Sequence, residues 1–240
     1  MSAQETSLPA VRVLEIEAGH RDLREVNREI RDAVAVGDEV IVDSPLSRHN
    51  LGVALTGSGR VVFRGSVGYY CAGLSDGPEV VVERNAGWAI GEALASGRIR
   101  VEGDAGMSVG ASMRGGLIHV RGNAGPRCGI TLKGGDIVVE GDVGYSAGFM
   151  AHAGRIICLG SAADAVGDSL WGSSVWVAGR IRGLGVDTRV IDPDPDDVAE
   201  VESLLSTLGL EDPSRSWKQV ISAGKLWHFE SRDASQWLMI

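Results

Sequence analysis

What the sequence lacks narrows the field first. No run of about 18 uninterrupted apolar residues occurs, so no transmembrane helix is expected. Lys and Arg are outnumbered 23 to 32, a net charge of −9, which is the wrong sign for a nucleic-acid or anionic-membrane surface. The first ten residues, Met1 to Ala10, carry neither a basic start nor an apolar stretch, so no secretory leader is expected. Cys71, Cys128 and Cys158 form no CxxC pair and are too few for a disulfide framework, which suits a reducing, cytoplasmic setting. With 44% hydrophobic and 23% charged residues, the 240-residue chain is long enough to bury a core and is not expected to be disordered.

Glycine is the residue in excess: 34 of 240, or about twice the ordinary share of roughly 7%. There is no G-X-Y period, so the excess is not collagen-like. Segments starting at 65, 84, 103, 122, 141 and 160 read GSVGYYCAG, RNAGWAIGE, GDAGMSVGA, GNAGPRCGI, GDVGYSAGF and GSAADAVGD, a step of 19 each time. Their first column holds Gly65, Gly103, Gly122, Gly141 and Gly160, with Arg84 as the exception. The second holds Gly68, Gly87, Gly106, Gly125 and Gly144, then Ala163. The third begins at Ala72 and continues Gly91, Gly110, Gly129, Gly148 and Gly167. These are predicted to be turn glycines, serving left-handed corners or close backbone approach.

Between the glycine clusters lie short alternating segments: RVVFR (60–64), EVVVE (79–83), RIRVE (98–102), LIHVR (117–121), DIVVE (136–140), RIICL (155–159) and SVWVA (174–178). Their second and fourth residues are apolar throughout, the signature of a strand with one face buried. Nineteen residues are too few for a βαβ unit, which needs about 30 or more. One repeat per coil of a parallel β-helix fits, with like positions stacked about 4.8 Å apart. Outward charges agree with that register: Arg60–Glu79–Arg98 and Glu102–Arg121–Glu140 place opposite charges on adjacent coils. The fold class expected is all-β, a single parallel β-helix of about seven coils with helical segments at both ends.

Three segments are expected. Residues 1–38 form an N-terminal cap, with Leu23, Val26, Ile30 and Val34 at helical spacing and Gly37 as the stop. Residues 39–190 form the β-helix. Residues 191–240 hold a linker, an amphipathic helix started by Asp194 and Pro195, and a docking tail with Trp217, Trp227 and Trp237. Val138, Ile157, Leu159 and Trp176 face outward on the late coils as an apolar strip, a candidate interface. Either the C-terminal tail or a second protein is expected to cover it, and Trp227 and Trp237 are candidates for the same contact.

No catalytic, cofactor-binding or metal-ligating residue is assigned. Asp104 and Asp142 share a column but lie two coils apart, about 10 Å, with Asn123 between them. The column Ser66, Asn85, Asp104, Asn123, Asp142, Ser161 is expected to stabilise turns by local bonds. A polysaccharide-cleaving pair of carboxylates is the alternative. Cys71 and Cys128 are three coils apart, about 14 Å, beyond disulfide reach. His20, His49, His119, His152 and His228 show no ligand spacing; His49 is expected to bond locally and His119 to lie on a solvated or interface face. The GxxGxxxG units lack the G-K-[ST] of a phosphate loop and the G-G-x-G-x-D of a calcium repeat.

The run of G-D-A-G-x-x-x-G units with G-G-x-I-x-V after them resembles the GXGXG domain, the C-terminal right-handed β-helix of the glutamate synthase large subunit. It is also similar to the corresponding β-helical subunit of formylmethanofuran dehydrogenase. The resemblance spans roughly residues 40–185, and SRHNLGVAL (47–55) looks like the stand-alone versions of the domain. It implies a non-catalytic scaffold subunit of a glutamate synthase-like complex, such as the three-subunit N-methylglutamate synthase of methylamine-using bacteria. The partners implied are a glutamine amidotransferase and a synthase that carries FMN and an iron–sulfur cluster. A formylmethanofuran dehydrogenase-type complex and an independent carbohydrate-active β-helix enzyme are the alternatives.

Overall fold

A five-residue strand that buries only its even positions has no stability alone and must stack on copies of itself. The computed structural model, which describes residues 11–226, shows this stacking. Along the chain come β1 (Val13–Glu17), α1 (Leu23–Ala35), β2 (Glu39–Asp43), β3 (Arg60–Arg64), β4 (Asp76–Val82), β5 (Ser96–Val101), β6 (Leu117–Val120) and β7 (Lys133–Val139). They are followed by β8 (Ala153–Cys158), β9 (Ser174–Val177), β10 (Thr188–Ile191), α2 (Pro195–Ser206) and β11 (Lys218–Ser222). From β1 to β9 each strand pairs in parallel with the next in sequence, and the sheet ends in the order β9, β11, β10. Ile99 pairs with Ile118, Ile118 with Ile137 and Ile137 with Ile156, so the expected column stands one residue per coil. The chain is a parallel β-helix.

A second ladder runs beside the sheet, from Val67 through Ala86, Ala105, Ala124 and Val143 to Ala162. These residues point into the same core as Val80, Ile99, Val109, Ile118, Met113, Leu132 and Ile156, all buried. At one end α1 lays Val26, Ile30 and Val34 onto that core. Its Asp22 cap accepts from the N–H groups of Arg24 and Glu25, and Gly37 follows with φ +89°. The sheet begins earlier than the repeat does: β1, inside the segment assigned to the cap, pairs in parallel with β2. At the other end β11 reverses direction, pairs antiparallel with β9, and sets Val220 into the core.

The glycines answer two different demands. Third-column glycines such as Gly129 (φ +65°) are left-handed. Second-column glycines are not; a Cβ on Gly125 would lie 2.8 Å from the backbone carbon of Gly106, one coil back. The left-handed positions are not all glycine. Tyr70, Ala89, Ser108, Arg127 and Ser146 take positive φ two residues before the third column, and Leu74, Ala93, Ser112, Thr131 and Met150 do so two after it. Each such residue costs about 1–2 kcal/mol. The N–H groups of successive left-handed residues point to opposite neighbouring coils. The Ala89 N–H donates forward to Met107 at 2.8 Å, that of Gly91 back to Cys71 at 2.9 Å, and that of Ala93 forward to Ala111 at 2.8 Å.

Two substitutions in one repeat separate these demands. Gly129→Ala is expected to cost about 2–4 kcal/mol, the left-handed penalty plus crowding of the buried Ile156, whose Cδ1 would overlap the new Cβ and whose Cγ1 would lie 2.9 Å from it, and Ile156→Val should recover the second part. Gly125→Ala forces backbone from backbone and is expected to cost about 3 kcal/mol, read as urea midpoints.

Candidate functional site

The polar corner column is the first place to look for chemistry, and its side chains are occupied. Asn85 Oδ1 accepts from the Asp104 N–H at 2.9 Å, Asp104 Oδ1 from the Asn123 N–H at 2.7 Å, Asn123 Oδ1 from the Asp142 N–H at 2.8 Å, and Asp142 Oδ1 from the Ser161 N–H at 2.7 Å. Local turn bonding was the expectation; the partner is instead the next coil, 19 residues on. This also explains the first-column glycines. A Cβ on Gly141 would sit 2.5 Å from Asn123 Oδ1. Asp104 and Asp142 each serve a different backbone N–H and do not act as a pair.

All three cysteines are buried. Burial pushes the thiols of Cys71 and Cys128 far above the ordinary range, and that of Cys158 up to about 12. A thiol this protonated is a poor nucleophile. Cys158 instead donates to the carbonyls of Gly141 and Ser161 at 3.4 and 3.5 Å.

Of the two faces expected for His119, solvated or interface, the solvated one is excluded: the residue is 6% exposed, and its Nε2 lies 2.9 Å from Glu140 Oε1. It sits in a cleft of about 200 Å³ between the sheet and the end of α2, lined also by Glu79, Arg98, Arg100 and Leu208. Burial lowers its pKa below 6.5, with Glu140 opposing. The neighbouring charge ladder forms largely as expected. Arg121 bridges Glu102 at 2.8 Å and Glu140 at 3.5 Å, and Arg60 bridges Glu39 and Glu79. Arg98 does not join Glu79; it has no carboxylate within 4.0 Å among the described residues.

The apolar strip is covered by the chain itself. Val138, Ile157 and Trp176 are buried beneath Val201 and Leu205 of α2 and beneath Trp217, with Leu159 at the margin. Trp176 and Trp217 meet edge to face, centroids 5.9 Å apart. Glu202 fixes the cover: it accepts from Trp217 Nε1 at 2.7 Å and holds Arg215 at 3.0 Å. These strip residues therefore form an internal interface and are not open to a second protein. Trp227 and Trp237 lie outside the described residues.

A different surface is open, one that the glycine and strand columns did not point to. The residue after each second-column glycine reads Tyr69, Trp88, Met107, Pro126, Tyr145. Tyr69 and Trp88 stack at 4.6 Å with 5° between their planes, and His49 stacks on Tyr69 at 4.2 Å. His49 Nδ1 accepts from the Tyr69 N–H at 2.8 Å, a bond to the next coil twenty residues on, where a local one was expected. Trp88 is 48% and Tyr145 54% exposed. The column was legible at the same 19-residue step as the glycines. Farther along the same wall, His152 touches Trp171, centroids 5.5 Å apart, in a column that also holds Arg114 and Lys133. Among the described residues no cluster of three or more His, Cys, Asp or Glu side chains could hold a metal, and no helix is long and apolar enough to cross a membrane.

Fold and surfaces together define a parallel β-helical protein whose polar corners tie coil to coil and whose surface carries exposed aromatic residues, Tyr69, Trp88 and Tyr145, in one column. No family model matches the chain. It is 46% identical over 215 residues to Protein GlxC of Rhizobium meliloti (strain 1021), covering 88% of this chain and 94% of that protein. The chain belongs to the GlxC family.

Two measurements test these assignments. Asp142→Asn keeps the acceptor for the Ser161 N–H and is expected to leave stability within about 0.5 kcal/mol, whereas Asp142→Ala costs about 1 kcal/mol. For His119 the folded pKa is depressed, so the unfolded chain takes up the proton first as pH falls. Its contribution is therefore intact above about pH 6.5 and is lost below it. The urea midpoint should fall between about pH 7.5 and 5.5, and less so in His119→Gln.

Proposed function

We propose that this chain is the scaffold subunit of a glutamate synthase-like complex, and that the reaction of the complex is N-methylglutamate synthesis. The chemistry belongs to two other chains, a glutamine amidotransferase and a synthase carrying FMN and an iron–sulfur cluster. One observation carries the reading: the polar groups that repeat along the solenoid are spent on joining one coil to the next. Carboxylates of the corner column hold backbone N–H groups, and the thiols are buried and protonated. The similarity to Protein GlxC over most of both chains, and the resemblance of the repeat to the GXGXG domain, support the same reading.

The glycine loops do not fit a flavin phosphate. A phosphate cradle needs free N–H groups converging on one point. Here the N–H groups of Asp104, Ala105, Gly106, Ser108 and Gly110 are all bonded to neighbouring coils. The first turn of α2 carries Asp196 and Asp197, which repel an anion. FMN accordingly falls to a partner chain in this proposal.

Co-expression with the cognate amidotransferase and synthase tests it. The three chains should co-elute, with the flavin spectrum following the synthase and glutamine-dependent activity requiring all three. Hydrolase or acyltransferase turnover by the isolated chain would overturn the reading. A molybdenum- or tungsten-bearing partner in place of the flavoprotein would move it to the formylmethanofuran type.

A further inference from the structure

The sheet starts on a bare edge. The Glu39 N–H donates to the Arg12 carbonyl and the Ala18 N–H to the Asp43 carbonyl, both at 2.9 Å, so the even-numbered residues of this segment bond β2. Successive residues of a strand turn their N–H and C=O groups to opposite sides. Those of Val13, Glu15 and Glu17 therefore face away from the sheet. β1 stands first in the strand order, and among the described residues nothing bonds these three on that side. An unpaired edge is a template for another strand. The core column also stops short here. Leu14 heads the column Val40, Val61 and Val80, all fully buried, yet Leu14 itself is 39% exposed. Beside it a groove of about 470 Å³ separates β1 from α1. Glu29, Asp32, Ala33 and Val36 line its helical wall, and Val13 and Val36 are 57% and 68% exposed.

The side chains along the edge narrow the choice of strand. Glu17 has Asp43 as its ladder neighbour and a neutral hydroxyl, Ser44 Oγ at 3.0 Å, as its partner. Glu15 reaches Arg64 at 4.0 Å, and Arg64 also serves Asp43 at 3.3 Å. In the groove Arg12 is taken by Asp38 and Arg21 by Glu29, while Asp32 has no cation within 4.0 Å among the described residues. Exposed acids without a cation occur elsewhere, Glu83 among them, so charge does not mark the site. It selects the strand that the bare backbone admits.

We propose that β1 receives one further rung from a partner protein. The incoming segment is extended, pairs along Val13–Glu17, covers Leu14 with an apolar side chain set into the groove, and carries Lys or Arg across from Glu15 and Glu17. The inference rests on the scaffold reading and adds the surface, the mode of contact and the chemistry of the segment, in which apolar and basic residues alternate. Strand addition draws affinity from main-chain bonds and specificity from alternate side chains. A second copy suits the edge poorly. Two-fold pairing of β1 with itself brings Glu15 and Glu17 of both copies onto one face within diagonal reach, where like charges repel.

The test uses the reconstituted three-chain complex. Val36→benzoylphenylalanine should cross-link to a segment of the amidotransferase or the synthase in which Lys or Arg alternates with apolar residues. Hydrogen exchange in residues 12–18 should slow at least about tenfold on assembly. Val13→Pro deletes one outward N–H, spares the bonds to β2 and keeps both glutamates; it should lower partner recovery about tenfold. Glu15→Lys with Glu17→Lys should lower it about as far, while Glu83→Lys leaves it unchanged. Unchanged thermal midpoints show that the variants fold, and the charge variant decides alone if Val13→Pro does not. Cross-links to residues 1–10, to a second copy or to a segment without Lys or Arg would overturn the proposal. So would full recovery of partner by either folded variant, or an equal loss from Glu83→Lys. If the wild-type chain recovers neither partner, the scaffold reading fails with it. If the wild type recovers them and the edge variants do so equally, only the added strand fails.

Discussion

The structure depends on one constraint: backbone N–H groups of one coil find their acceptors on the next, and from β3 to β9 every coil therefore keeps a 19-residue length, while the entry coil from β2 to β3 takes 21. Backbone ladders satisfy this on the sheet and along the Val67 to Ala162 column. At the corner the first-column glycine N–H still bonds back to the previous coil, as from Gly122 to Gly103 at 3.0 Å, and for the N–H that follows it Asn and Asp side chains take over. On the far wall, alternation of left- and right-handed residues performs the same service at a cost of about 1–2 kcal/mol per left-handed residue. Insertion of one residue in any coil would break all three at once. That is why the period holds from residue 65 to beyond 160 without a slip.

Much of this was legible because repetition multiplies weak signals. A lone Gly-Asp pair says little; six aligned at one spacing define an environment. The strand columns, the helix start at Asp194, the stop at Gly37 and the buried stripe of α1 were all readable, whereas the Asp22 cap was not read. What failed to show were features without a repeat to echo them. β1 precedes the glycine pattern, and with only Ile16 buried it carries no alternation to detect. The position of α2 was hidden because an amphipathic helix announces that it will be buried, not by what. His119 followed from that gap: its outward direction was clear, but its burial depends on a helix nearly ninety residues later.

The corner column holds a second lesson. The residue types favoured turns, and they do stand at turns, yet the bond runs between coils. Propensity identifies which groups will bond; only the stacking decides to whom. The left-handed alanine and serine positions make the same point. Nothing in their identity asks for positive φ, and the neighbouring coils impose it.

The reversal of polarity at β11 has a consequence for assembly. A parallel solenoid that stopped at β9 would present an edge ready to receive β1 of another molecule, and head-to-tail growth would follow without limit. Because β11 and β10 run antiparallel there, the two ends of the sheet no longer match. A second copy is thereby denied the parallel rung that β9 would otherwise offer its β1.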